Sequence, residues 1–116
     1  MLHPPQHGER ILVLRKPWLN LILSGEKTME VRSRRVTPGD CLLGCRGYIY
    51  GRAHLGPPIE LTDPLAWEQH RVHHRCEGAC RTPRSFGMPL SNAMAFLEHV
   101  PYIHPRGAIG FVRYRG

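Results

Sequence analysis

Lys27, Glu30 and Arg32 stand close enough in sequence to act together. On a strand, Glu30 and Arg32 share one face, with the lysine at its entrance. The two cations can hold phosphate or carbonyl oxygens, while the acid orients them or accepts a proton. The same three residue types also suit a surface ion pair, worth only ~0–1 kcal/mol when exposed. Trp18 supplies a ring that can stack on a base, worth ~1–3 kcal/mol, or that can fill a core. Arg15, Lys16, Arg34, Arg35 and Arg46 can rim the same cleft if the loops converge, contacting phosphates without reading sequence. Otherwise they form a solvated charged surface. A lysine that removes protons near neutral pH must be desolvated or lie beside another cation. Glu30 at strand-pair distance is expected to raise the Lys27 pKa and keep the amine charged. That favours anion binding over proton abstraction.

The elements that must position these residues are short. Arg10 to Arg15 encloses an unbroken apolar run and reads as a buried strand. A helix is expected from Pro17 to Ser24, with proline in its first turn and Gly25 at the helix-ending position. Thr28 to Arg32 then alternates with period two. Cys41 to Cys45 and Tyr48 to Leu55 read as two strands joined by a turn at Arg46-Gly47. Gly51 would mark a bulge or a place where a ligand nears the backbone. Asp63-Pro64 starts a helix expected to reach His74. Cys76 to Pro89 reads as a mobile loop. Ser91 would cap a last helix to about His99, and Gly107 to Tyr114 would be the final strand, with Ile109 on its Phe111 face. Many short strands with two or three helices fit a small mixed barrel.

Both cysteine pairs are spaced C-x-x-x-C. In an extended strand Cys41 and Cys45 lie ~13 Å apart, too far to share one zinc ion. Cys76 and Cys80, with His70, His73 or His74, form a minor alternative zinc set, since His70 and His74 share a helix face. The principal expectation is no metal and no cofactor.

The chain has 116 residues, the size of one domain. Residues 1–9 are expected to be a disordered leader, and 10–116 the domain. Sixteen Lys and Arg against nine Asp and Glu give a formal charge of +7, which favours polyanionic partners, nucleic acid above all. No apolar run approaches the ~20 residues that span a bilayer, and the first residues lack the apolar centre of a signal peptide. The expectation is an intracellular, cytoplasmic monomer with reduced cysteines and no membrane partner.

Gly25, Lys27, Glu30 and Arg32 together read G-x-K-x-x-E-x-R. With Pro17-Trp18 upstream, Gly39-Asp40, Gly51 and the closing run from Pro101 to Tyr114, the chain resembles the ASCH family of the PUA-like superfamily. The resemblance implies an α+β fold, a small PUA-like β-barrel with two to three short flanking helices. It implies binding of RNA, a nucleotide or a modified nucleoside in a cleft formed by Trp18, Lys27, Glu30 and Arg32, rimmed by Arg15, Lys16, Arg34 and Arg35. The alternative it implies is a small hydrolase, either N4-acetylcytidine amidohydrolase-like or a ribonuclease. In the amidohydrolase subgroup a threonine stands three residues after the lysine, and a downstream helix supplies an acid. Here Glu30 takes the threonine's place, and either Glu68 or His70 falls where the downstream acid stands, so an enzyme would use Lys27, Glu30 and, as the acid, Glu68. A protein-interaction module is a third reading, for which the sequence offers nothing positive.

Overall fold

The computed structural model describes residues 2–80, 83–108 and 110–116. Strand β1 (Arg10–Val13) is central and apolar, as its composition requires. It pairs in parallel with β3 (Gly39–Cys45) and antiparallel with β7 (Phe111–Arg113). Ile11 and Leu12 are both fully buried, one on each face of the sheet. Helix α1 (Trp18–Leu23) follows, one residue after the expected start because Pro17 serves as its N-cap, and it buries Leu19 and Ile22. Gly25 reverses the chain at φ +84°, and β2 (Met29–Arg32) begins.

β3 and β4 (Tyr48–Leu55) form a hairpin whose turn residues, Arg46 and Gly47, have φ of +50° and +82°. Positive φ at both positions matches the twist of the flanking strands. β5 (Ile59–Glu60) leads to α2 (Pro64–Gln69), where the Asp63 carboxylate accepts from the Ala66 N–H at 3.2 Å. The helix expected to reach His74 breaks at His70 and resumes as α3 (Arg71–His74). The last long element is β6 (Phe86–Pro101).

The strands run in the order β2-β6-β4-β3-β1-β7, with β5 also on β6. This mixed sheet curls into a half-barrel carrying three short helices, an α+β architecture. Leu12, Leu43, Leu55 and Met88 pack inside the curl with Leu19 and Ile22 of α1. Among the described residues no helix is long and apolar enough to cross a membrane.

Three expectations are corrected. The segment from Ser91 to His99 is not a helix but part of β6, paired with β4 at Arg52↔Met94 and Gly51↔Ala95. Its Ala, Met, Leu and Glu favour helices, but the β4 edge offers a ladder of hydrogen bonds that outweighs propensity. The loop expected from Cys76 to Pro89 gives way to β6 at Phe86. The N-terminal segment is not a free leader. The Gly8 N–H donates to the Tyr114 carbonyl at 2.7 Å, and Arg52 bonds the carbonyls of His3 and Pro4 and the Glu9 carboxylate. Gly51 marks a close approach of β6 backbone, since a Cβ there would collide with the Met94 carbonyl oxygen. The expectation for Ile109 lies outside the described residues.

Candidate functional site

The turn before β2 is held on three sides. The Lys27 N–H donates to the Leu21 carbonyl of α1 at 2.9 Å, and the Thr28 N–H to the His73 carbonyl of α3 at 2.9 Å. From β6 the Leu90 N–H donates to the Thr28 carbonyl at 2.8 Å. Lys27 is thereby fixed beneath the junction of α1 and α3, only 2% exposed. Its Nζ donates to the His74 carbonyl at 2.5 Å and lies 4.8 Å from the centre of the Trp18 ring. Burial pushes the Lys27 pKa below its ordinary value of 10.5, outweighing the opposing attraction of Glu30.

Glu30 pulls the Lys27 pKa upward as expected, but burial was not foreseen and sets the net direction. Glu30 is 6% exposed, and its Oε2 accepts from Arg32 Nε at 2.8 Å. Arg32 also donates to the Val13 carbonyl at 3.0 Å, tying β2 to the end of β1. Glu30 and Arg32 thus form the ion pair, and Lys27 uses a backbone carbonyl and an aromatic face. These side chains open onto a cleft of about 350 Å³ lined by Arg15, Trp18, Lys27, Glu30, Arg32 and Cys76, among others. A second cleft of about 590 Å³ adjoins it, sharing Trp18, Val31 and Cys76 as a common wall.

The remaining rim candidates are dispersed. Lys16 lies over the Tyr50 ring at 5.9 Å, and Arg35 over Phe86 at 4.7 Å. Arg34 is exposed in the loop after β2, and Arg46 sits in the β3–β4 turn. Glu68 is a correction. It is exposed, lies outside both clefts and gives its carboxylate to Arg71 at 2.6 Å, the neighbour one helical turn away. An acid so placed does not reach Lys27.

His74 is the residue that the sequence did not single out for this site. It is fully buried, its ring stacked on Trp67 with centroids 4.1 Å apart. Its Nδ1 accepts from the Cys76 N–H at 2.9 Å, and its Nε2 donates to the Trp67 carbonyl at 3.0 Å. Those two partners define the neutral Nε2–H tautomer. Burial pushes the His74 pKa below its ordinary 6.5. With both nitrogens engaged, His74 has no lone pair to offer zinc, which removes it from the alternative metal set. His70 Nδ1 lies 2.9 Å from the Ala66 carbonyl, and Cys80 Sγ 2.9 Å from Ser85 Oγ. Among the described residues no three His, Cys, Asp or Glu side chains are grouped to hold a metal ion. The sequence signal for His74 was only its place on a histidine-rich helix; that its carbonyl meets Lys27 follows from the packing of α3 on β2.

No family model matches the chain, and no curated protein matches it in sequence. Solved structures do resemble it. A serine-to-alanine mutant of the ASCH protein ZmASCH from Zymomonas mobilis superposes with a TM-score of 0.71 at 14% identity, covering 97% of this chain and 92% of that one. A tyrosine-to-phenylalanine mutant of ZmASCH gives 0.71 at 16% identity over 93% and 91%. The ASCH structure from the same organism gives 0.61 at 19% identity over 78% and 71%. The fold of this chain is therefore ASCH-like.

Proposed function

We propose that this ASCH-like fold binds RNA, or a nucleotide-like unit of it, in the cleft over Lys27, Glu30 and Arg32. The observation that carries the reading is that an amine and a carboxylate are buried together at the floor of an open cleft. Burying ionisable groups is costly, and a merely structural surface ion pair would not require it. A lysine whose pKa is shifted by burial at the floor of a cleft is a functional-site candidate on physical grounds. Arg15 and Arg32 bring cationic donors for phosphate or carbonyl oxygens, and Trp18 brings an aromatic surface for a base. The excess of +7 formal charges supports a polyanionic partner. The test is a titration of single-stranded RNA against salt, where affinity should fall by ~0.7 decade per decade of salt for each phosphate contact. Absence of binding at low salt, or affinity indifferent to salt, refutes it.

A second reading, amide hydrolysis on a nucleoside, is favoured by one specific observation. Burial lowers the Lys27 pKa, and a neutral amine is what proton abstraction or nucleophilic attack demands. Acetate release from N4-acetylcytidine, lost in both Lys27→Ala and Lys27→Arg, would establish turnover. A guanidinium does not give up its proton near neutral pH, whereas an anion-binding cation tolerates the arginine.

A further inference from the structure

The two adjoining clefts differ in chemistry, and the difference specifies what kind of molecule would fill both. The cleft over Lys27 carries three formal cations, Arg15, Lys27 and Arg32, against the single anion Glu30. The adjoining cleft carries one of each, Arg75 and Glu77, and its walls include Pro17, Leu21, Val31 and Trp67. Trp18 and Cys76 stand on the boundary, lining both. One space therefore favours an anionic group and the other an apolar, planar one, side by side.

We infer that the ligand is a nucleoside monophosphate unit spanning both clefts, its phosphate over Arg15 and Arg32 and its base against Trp18 in the adjoining apolar cleft. This rests on the nucleotide-binding reading above and narrows it. A bare nucleoside leaves the cationic cleft without an anion, and inorganic phosphate leaves the apolar cleft empty. Neither recovers what the joined clefts offer. Arg15 suits the phosphate role because it is exposed at the rim, where a guanidinium presents a planar fork to phosphate oxygens. The base needs no edge-specific hydrogen bond to be held by an aromatic and aliphatic wall. A free nucleotide and a nucleotide within an RNA strand share this chemistry.

The test compares the four nucleosides, their 5′-monophosphates and a short single-stranded oligonucleotide by calorimetry. Wild type, Arg15→Ala and Ala79→Trp are titrated. Ala79 is an exposed loop residue that lines the apolar cleft and not the one over Lys27, so tryptophan there occupies the apolar cleft and leaves Arg15, Lys27 and Arg32 unchanged. At least one monophosphate should bind about ten-fold or more tightly than its nucleoside, the scale of a charge-assisted hydrogen bond. Arg15→Ala should narrow that gap. Ala79→Trp, with its Tm unchanged, should weaken the monophosphate by about ten-fold, the scale of losing a stacked base. Equal affinity for nucleoside and monophosphate, or an Ala79→Trp protein that binds as wild type, overturns the two-cleft inference while leaving nucleotide binding intact. Failure of every monophosphate and of the oligonucleotide to bind overturns both. Binding of the oligonucleotide well above any monophosphate identifies the unit as part of a strand, and equal binding identifies a free nucleotide.

Discussion

Replacing Lys27 by methionine turns the burial of the amine into a measurable pH dependence. In the unfolded chain the lysine titrates near 10.5; in the folded protein burial lowers that value. Between the two, the unfolded state holds a proton that the folded state has lost, so wild-type stability rises with pH across that window. The slope approaches ~1.4 kcal/mol per pH unit wherever the proton numbers differ by one. Below the lowered folded value both states are protonated and the dependence vanishes. Lys27→Met removes the titration and with it the slope. It also removes the bond from Nζ to the His74 carbonyl, 2.5 Å long, which costs ~1–3 kcal/mol if the carbonyl is left unpaired. The gain from no longer burying an amine opposes that cost at neutral pH. The assay is urea unfolding of both proteins from neutral pH up to the ordinary lysine value. Taking the difference between the curves cancels the other titrating groups. Wild type should gain on the variant as pH rises. A constant difference, or one that moves against wild type, refutes the claim that burial governs this lysine.

His74 gives the opposite end of the pH scale. Its folded pKa lies below the ordinary 6.5, so its contribution is complete above that pH and is lost as pH falls towards the folded value. Unfolding curves of wild type and His74→Gln should therefore converge as the buffer is acidified below that point. Gly51→Ala should destabilise the protein by about 2 kcal/mol or more, because the added methyl meets the Met94 carbonyl oxygen of a paired strand; thermal unfolding checks this. Glu68→Gln should leave Tm, RNA binding and any acetate release as in wild type, since its exposed carboxylate pairs with Arg71 and lies outside both clefts. A loss of turnover in that variant would return Glu68 to the site.

The first third of the chain was legible because its signals are local. The apolar run of β1, proline at the start of α1, glycine at its end and the alternation of β2 each follow from neighbouring residues. The Arg46-Gly47 turn was legible for the same reason. β6 was not, because nothing within Asn92 to His99 announces a strand. The register with β4 shifts twice there, and Asn92 adopts φ +54°, so the alternation that betrays a strand is broken. That Trp18, Lys27, Glu30 and Arg32 would lie together was legible, since they line one cleft; how they pair was not. Spacing placed Glu30 near both Lys27 and Arg32, but only the packing of α3 decides that the lysine goes to the His74 carbonyl and the carboxylate to arginine. Whether Lys27 is exposed or buried is likewise a property of the assembled fold.

The strand that carries Glu30 and Arg32 pairs with β6, at the register Met29↔Pro89 to Arg32↔Phe86. Its lysine and threonine are fastened by carbonyls of α3 and by the Leu90 N–H. Every one of these partners lies more than forty residues later in the chain. On a ribosome, the signature segment would leave the exit tunnel with only its earlier partners, the Leu21 and Val13 carbonyls, already made. The β1–β3–β4 portion can associate meanwhile through its own contacts, while the Lys27 amine still lacks its His74 partner. The amine finds its carbonyl only once His74 has emerged, and β2 finds its neighbouring strand only with residues 86–90. The cleft is thus completed late in synthesis, and a nascent chain stalled before β6 should carry the whole signature yet lack the cleft.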